Sequence, residues 1–280
     1  MTRQEKSVCI ALIHNQNNQR NAYIQPLLND LKTKLIEHFS AIEIEISSQP
    51  EIKPHSLRMA FLRDAMYQAL DREWCRYRRI RPQRLPLQAP RLLLKSLKKY
   101  SHAEDSWRRN SRVETIITDK HVRAWSAFLE TGCHFLICFE DDAVFKNDSV
   151  QRVTEMLHML FEAGIDTPVY IDLAGGCKLE QLKIDHLETG REASFRHYSK
   201  PVTNTACAYL ISRPLATIFQ ESITRRPWLR LIGIDWMMNK LFMQMASDGV
   251  ECRCMHADPT IFNHGTTTGE YISWQANRLH

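Results

Sequence analysis

The sequence predicts an α/β fold, a central sheet linked by crossover helices, on three observations. The chain opens as strand, helix, strand. From about residue 116 onward, short apolar runs again alternate with segments of helical period. One of those runs, Phe135 to Phe139, ends in Glu140, Asp141 and Asp142. Alternation of this kind builds a sheet with crossover helices, and such sheets hold ligands at the carboxyl ends of their strands. No G-x-G-x-x-G or Walker loop is present, which argues against a dinucleotide-binding or P-loop site. At 280 residues with 44% apolar content, residues 1–280 are read as one main domain with a sizeable core.

Val8 to Ile13 is a first buried strand, followed by the polar loop His14 to Arg20. Leu27, Leu28, Leu31, Leu35 and Ile36 have helical spacing within Tyr23 to Phe39, and Ile42 to Ile46 alternates Ile with Glu as a second strand. Residues 57 to 77 read as a helix. Thr118-Asp119 resembles an N-cap before a helix from His121 to Leu129, and Phe135 to Phe139 is the next strand. A helix from Val150 to Ala163 stops at Gly164, and Val169 to Leu173 is another buried strand. Residues 178 to 200 lack clear periodicity and read as a loop or a short hairpin. Thr205 to Ser212 is a strand, and Ile234 to Met245 is a helix with Asp235 in its first turn, where the helix dipole favours an anion.

Residues 50–112 stand apart as a basic helical insertion. Between Arg72 and Lys99 ten basic residues face the single acid Glu73, so this segment carries about +9, more than the +5 of the whole chain. Its second half, Arg91 to Lys99, sets Leu and Lys on separable faces, a pattern suited to an anionic membrane surface at roughly 1 kcal/mol per cation. The same pattern also describes an ordinary solvated helix. No nucleic acid partner is expected, because no aromatic-rich basic groove accompanies the charge.

No run of eighteen apolar residues occurs and the N-terminus lacks an apolar signal core, so the expected location is cytoplasmic, with peripheral attachment to the inner membrane face left open. The eight scattered cysteines agree with a reducing compartment. Cys252-Arg-Cys254 lacks both the C-x-x-C spacing and the second pair of a zinc site.

The acidic triplet carries the chemistry. A carboxylate withdrawn from water costs several kcal/mol unless paired, so three at a buried strand end imply a cation or a strong hydrogen-bond network. Mg²⁺ or Mn²⁺ bridging carboxylates to a diphosphate fits that chemistry; a solvated acidic turn is the plain alternative. His264 follows Ile261-Phe262 and precedes Gly265, a strand exit able to carry an imidazole into a site, although a lone His is more often structural.

His121-Val-Arg-Ala-Trp125, Phe139-Glu-Asp-Asp-Ala143, Ala206-Cys-Ala-Tyr-Leu-Ile-Ser212, Ile234-Asp-Trp236 and Phe262-Asn-His-Gly-Thr266, in that order, resemble glycosyltransferase family 25. That group makes bacterial lipopolysaccharide and lipooligosaccharide, with collagen galactosyltransferases as distant relatives. The resemblance implies a GT-A-like nucleotide-sugar fold with a central mixed sheet flanked by helices. It also implies a divalent metal, and inverting transfer of galactose or a related sugar from a UDP-sugar donor to a saccharide or lipid-linked saccharide. In its D-x-D-like element Glu140 and Asp142 would face the metal, with Asp141 on the donor sugar or ribose; strand alternation supports that pairing. His264 would be the third metal ligand, and Gly265 and Thr266 would meet the diphosphate. Asp235 would be the catalytic base, or would merely cap its helix. Asn15 and Arg20 fall where the family contacts the nucleotide, but the family's Asp there is missing. His121 and Trp125 shape either the donor pocket or the core.

Two other readings stay open. A metal-dependent phosphohydrolase or nucleotidyltransferase also uses clustered carboxylates and a His, and predicts a further acid at another strand end, for which Asp172 is the candidate. A catalytically inactive scaffold at the membrane surface would dispense with the acids and His264 altogether.

Overall fold

The computed structural model describes residues 6–14, 17–46, 57–79, 106–164, 166–187 and 194–272. Strands β1 (Ser7–Ile13) and β2 (Ser40–Ile46) are joined by helix α1 (Asn18–Ile36), and α2 (Leu57–Tyr77) and α3 (Ser106–Thr131) come before β3 (Phe135–Glu140). Next come β4 (Ala143–Phe145), α4 (Ser149–Glu162), β5 (Val169–Asp172), the hairpin β6 (His186–Leu187) and β7 (Phe195–Tyr198), and β8 (Ala208–Ser212). Helices α5 (Arg213–Arg225) and α6 (Ile234–Ser247), strands β9 (Arg253–Ala257) and β10 (Phe262–His264), and the single turn α7 (Gly265–Thr268) complete the described chain.

Eight strands form one mixed sheet in the order β2-β1-β3-β8-β5-β9-β7-β6. β1 is parallel to both β2 and β3, whereas β8 runs antiparallel between β3 and β5. The α/β class with a mixed sheet flanked by helices is therefore the architecture observed. The central strands read as unbroken apolar runs because helices cover both faces. Along β1, Cys9, Ala11 and Ile13 point into one core and Val8, Ile10 and Leu12 into the other. Trp125, Phe128, Phe219 and Phe242 of α3, α5 and α6 fill the first, and Leu28 and Leu31 of α1 with Val153 and Leu157 of α4 fill the second. β4 and β10 make a separate two-stranded ribbon beside the end of β3.

Three sequence expectations change. α1 begins at Asn18, not Tyr23: the Asn17 side chain accepts a hydrogen bond from Arg20 N at 3.1 Å, so Arg20 lies in a first helical turn and not in a loop. Thr118 and Asp119 are interior to α3 and cap nothing, because tertiary partners satisfy them. The Thr118 hydroxyl donates to Ile232 O, and Asp119 pairs with Arg123 and Arg230. α5 was not anticipated at all. Within the expected insertion, α2 packs on α6 with Leu70 and Trp74 buried. Residues 80–105, with most of the basic segment, lie outside the described residues.

Candidate functional site

β3 stops at Glu140, and Asp141 and Asp142 form the turn into β4. The strand alternation expected to pair Glu140 with Asp142 does not reach Asp142, and the two side chains take different partners. Glu140 Oε1 meets His121 Nε2 at 3.0 Å. His121 is wholly buried; its Nδ1 lies 2.8 Å from the Tyr209 hydroxyl, to which Trp125 Nε1 donates at 2.9 Å. Because Tyr209 receives the indole proton, its own proton is free for His121 Nδ1, leaving Nε2–H for the carboxylate. Trp125 itself is core.

Asp142 faces the opposite way. The β4–β10 register sets His264 opposite Ala143, and Gly265 N donates to Asp142 O at 2.9 Å. His264 Nε2 thereby comes to 3.2 Å from Asp142 Oδ2, and the Thr266 hydroxyl donates to the same oxygen at 2.9 Å. Gly265 permits this closeness, since a Cβ there would sit 2.5 Å from the Tyr271 ring and 2.8 Å from Asp142 O. From the other side Glu140 N donates to Cys207 O at 2.7 Å, which leaves the Cys207 thiol 3.5 Å from Asp142 Oδ1. One ligand atom each from Asp142, Cys207 and His264 lies within 4.8 Å of the others.

Burial acts on Asp142 to raise its pKa, yet the hydrogen bonds from His264 and Thr266 and the charge of Arg20 outweigh it and hold the carboxyl below its ordinary range. Burial likewise opposes the charged form of His264, but Asp142 overcomes it and lifts the imidazole above its ordinary value. Burial, helped by the Asp142 charge, keeps the Cys207 thiol far above its usual pKa.

Arg20 Nη1 donates to Asp141 Oδ1 at 2.8 Å, Nη2 reaches Ile272 O at 3.2 Å, and the guanidinium lies 5.0 Å from the centre of the Tyr271 ring. α1 is thus tied to the acidic turn and to the segment after α7. Behind the acids Lys120, fully buried, donates to His14 O at 2.7 Å; desolvation lowers its pKa against the pull of Asp141.

Asp235 is the second residue of α6. Gly233 N donates to Tyr67 Oη at 2.8 Å, and Thr118 holds Ile232 O from α3, so two neighbouring helices fix the start of α6. Asp235 does not cap through Oδ1, which is shielded from solvent and has no hydrogen-bond partner. Burial, reinforced by the charge of Glu140, pushes its pKa up to about 7.

A cavity of about 430 Å³ gathers these groups: Glu140, Asp141, Asp142, His264 and Thr266 at one side, Asp235 with Tyr67, Glu114 and Trp236 at the other, and Arg20 at the rim. Five carboxylates line the cavity against Arg20, His264 and, behind the acids, Lys120, an excess of negative charge that a divalent cation would offset. Asn15 lies outside the described residues. Asp172 is absent from the cavity lining; it accepts hydrogen bonds from Gly175 N, Asn204 N and the Tyr170 hydroxyl. The sequence reading missed Cys207, Lys120 and the Tyr67–Trp236 wall. Cys207 stood inside a quoted motif but reads as one more small apolar residue, and Lys120 has no local signal of burial.

No protein-family model and no curated protein sequence matches this chain. Among solved structures, a glycosyltransferase involved in the glycosylation of the major capsid of PBCV-1 superposes with a TM-score of 0.42 at 7% identity, over 98% of this chain and 96% of that one. A likeness that loose says nothing of the chemistry, which is read from the site's own geometry. No helix among the described residues is long and apolar enough to cross a membrane.

Proposed function

We propose that this protein is a metal-dependent, GT-A-like inverting glycosyltransferase that moves a sugar, galactose or a related hexose, from a UDP-sugar to a saccharide acceptor of a surface glycan. The observation that carries the reading is the Asp142–His264 pair at the end of β3, lining one cavity with Asp235, whose Oδ1 has no hydrogen-bond partner. Asp142 and His264 would hold the cation, with Glu140 beside them. Mn²⁺ suits an imidazole donor better than Mg²⁺, which favours all-oxygen sites. When bound, the ion neutralises charge on the departing diphosphate.

The chain's own groups supply the rest. Arg20, tied to Asp141, adds a second positive charge on the phosphate side, and Thr266 and Thr267 line the cavity where hydroxyls would meet diphosphate oxygens. Gly265, expected there too, gives its N–H to Asp142 O and serves the close packing of the turn. Tyr67 and Trp236, rings 6.4 Å apart and edge to face, offer an apolar wall for a sugar ring. Asp235 takes the acceptor hydroxyl's proton as its oxygen attacks the anomeric carbon and UDP leaves. A base with pKa about 7 is ionised in much of the population at neutral pH and still binds a proton well. The buried His121–Tyr209–Trp125 chain orients Glu140, whose charge adds to the Asp235 shift.

The phosphohydrolase or nucleotidyltransferase reading needs another free acid, and its candidate Asp172 has both oxygens engaged in hydrogen bonds. The inactive-scaffold reading leaves the unpartnered Asp235 oxygen without a purpose. Incubation with a panel of UDP-sugars and Mn²⁺, scored by UDP release, tests the proposal: one donor hydrolysed well above the others is expected, and no UDP release from any donor, with or without saccharide acceptors, counts against it.

A further inference from the structure

The transfer reading asks only for a hard cation, yet the pair that would hold it has a sulfur beside it. Cys207 is fully buried, its thiol is 3.5 Å from Asp142 Oδ1, and its ligand atom lies within 4.8 Å of those of both Asp142 and His264. The three donors come from separate segments: the turn after β3, the approach to β8 and the end of β10. Tetrahedral zinc bonds of roughly 2.0 Å to O or N and 2.3 Å to S put neighbouring ligand atoms roughly 3.3–3.5 Å apart. His264 Nε2 lies 3.2 Å from Asp142 Oδ2 and the Cys207 thiol 3.5 Å from Asp142 Oδ1, so the two flank the carboxylate from either oxygen. One ligand atom from each of the three lies within 4.8 Å of the others, a spread that small side-chain shifts would bring to the tetrahedral value. Oxygen, nitrogen and sulfur together make a borderline-soft donor set, whereas Mg²⁺ takes oxygen and keeps its water.

We propose that Cys207 is a third protein ligand at this centre, binding as thiolate, so that a thiophilic divalent ion such as Zn²⁺ or Co²⁺ is bound through sulfur and outcompetes Mg²⁺. The step balances as loss of the S–H proton to solvent and formation of the metal–sulfur bond, with no change in oxidation state; one proton is released from Cys207 for each ion bound. With three protein ligands, a fourth position would remain for water or a diphosphate oxygen. The proposal rests on the metal site of the transfer reading but not on the transfer, because it concerns the ion alone.

The test titrates metal-free protein with Co²⁺ in the absence of nucleotide. The wild type is expected to develop a thiolate-to-cobalt charge-transfer band in the near ultraviolet, saturating at one ion per chain. Cys207→Ser should lose the band and bind Co²⁺ at least tenfold more weakly, releasing one proton fewer per ion. Cys177→Ser, which alters an exposed cysteine, should keep it. Cys207→Ala and the unfolding midpoint of both Cys207 variants separate a lost ligand from a lost fold. A band that survives in folded Cys207→Ser or Cys207→Ala, or saturating Co²⁺ binding with no such band in the wild type, overturns the proposal. The band without any UDP affinity would sustain it while removing the glycosyltransferase reading; UDP affinity without the band would do the reverse.

Discussion

At the scale of single residues, Asp235 concentrates the consequences. Its carboxyl is raised to about 7 in the fold against an ordinary value near 3.8, so the native state holds a proton that the unfolded chain has released. The unfolded state binds fewer protons throughout that interval, and stability therefore falls as pH rises from about 4 to about 7. Asp235→Asn removes the penalty and should raise the unfolding midpoint at pH 8 but not at pH 4, by an amount corresponding to at most about 4 kcal/mol at 1.36 kcal/mol per pKa unit. The same change should lower kcat by two orders of magnitude or more while leaving UDP affinity nearly intact, as expected for a proton acceptor that does not hold the donor. Equal losses of UDP affinity in Asp235→Asn and His264→Ala would show that both act on the donor. The sequence placed Asp235 by its helix, but its want of a partner was not legible there, because Tyr67, Glu140 and Thr118 come from distant segments. The Glu140–Asp142 pairing failed for a related reason: periodicity says which residues are in a strand and not where the strand ends.

At the scale of elements, the β4–β10 ribbon decides whether the site exists. It sets His264 against the acidic turn, and the close approach of α7 to that turn depends on a residue without a side chain. Gly265→Ala brings a methyl into the Tyr271 ring and the Asp142 carbonyl, and overpacking of this kind costs about 1–3 kcal/mol. The expected result is a midpoint lowered by several degrees together with weakened metal binding; an unchanged midpoint and full metal affinity would mean that the ribbon yields at no cost. Most elements were readable because apolar runs buried on both faces, such as β1 and β3, leave little ambiguity. α5 went unread although Leu215, Ala216, Phe219 and Ile223 are its buried positions at helical spacing and Pro214 begins it. α1 was read five residues short because its first turn, Asn18 to Asn21, is wholly polar and carries no apolar period, so it reads as loop.

At the scale of the whole molecule, the charge is divided. The cavity is acidic, whereas the excess positive charge of the sequence sits largely between Arg72 and Lys99. We propose that this segment meets an anionic membrane surface, since an enzyme with a lipid-carried acceptor gains from a surface that concentrates its substrate. Binding to vesicles containing anionic lipid is expected, weakened by salt because exposed charges are screened within about 8 Å at physiological ionic strength. Arg91, Lys95, Lys98 and Lys99 changed together to Gln should reduce co-sedimentation with vesicles and leave hydrolysis of a soluble donor unaltered. Undiminished co-sedimentation would make the segment an ordinary solvated surface.

The central claim is that a divalent ion held by Asp142 and His264 couples this cavity to a nucleotide diphosphate. Calorimetric titration of UDP into the protein, in Mn²⁺ and again in excess chelator, meets it directly. UDP is expected to bind with the ion and to lose at least tenfold in affinity, about 1.4 kcal/mol, without it, and Asp142→Ala should abolish the difference. Equal affinity for UDP in Mn²⁺ and in chelator would contradict the account.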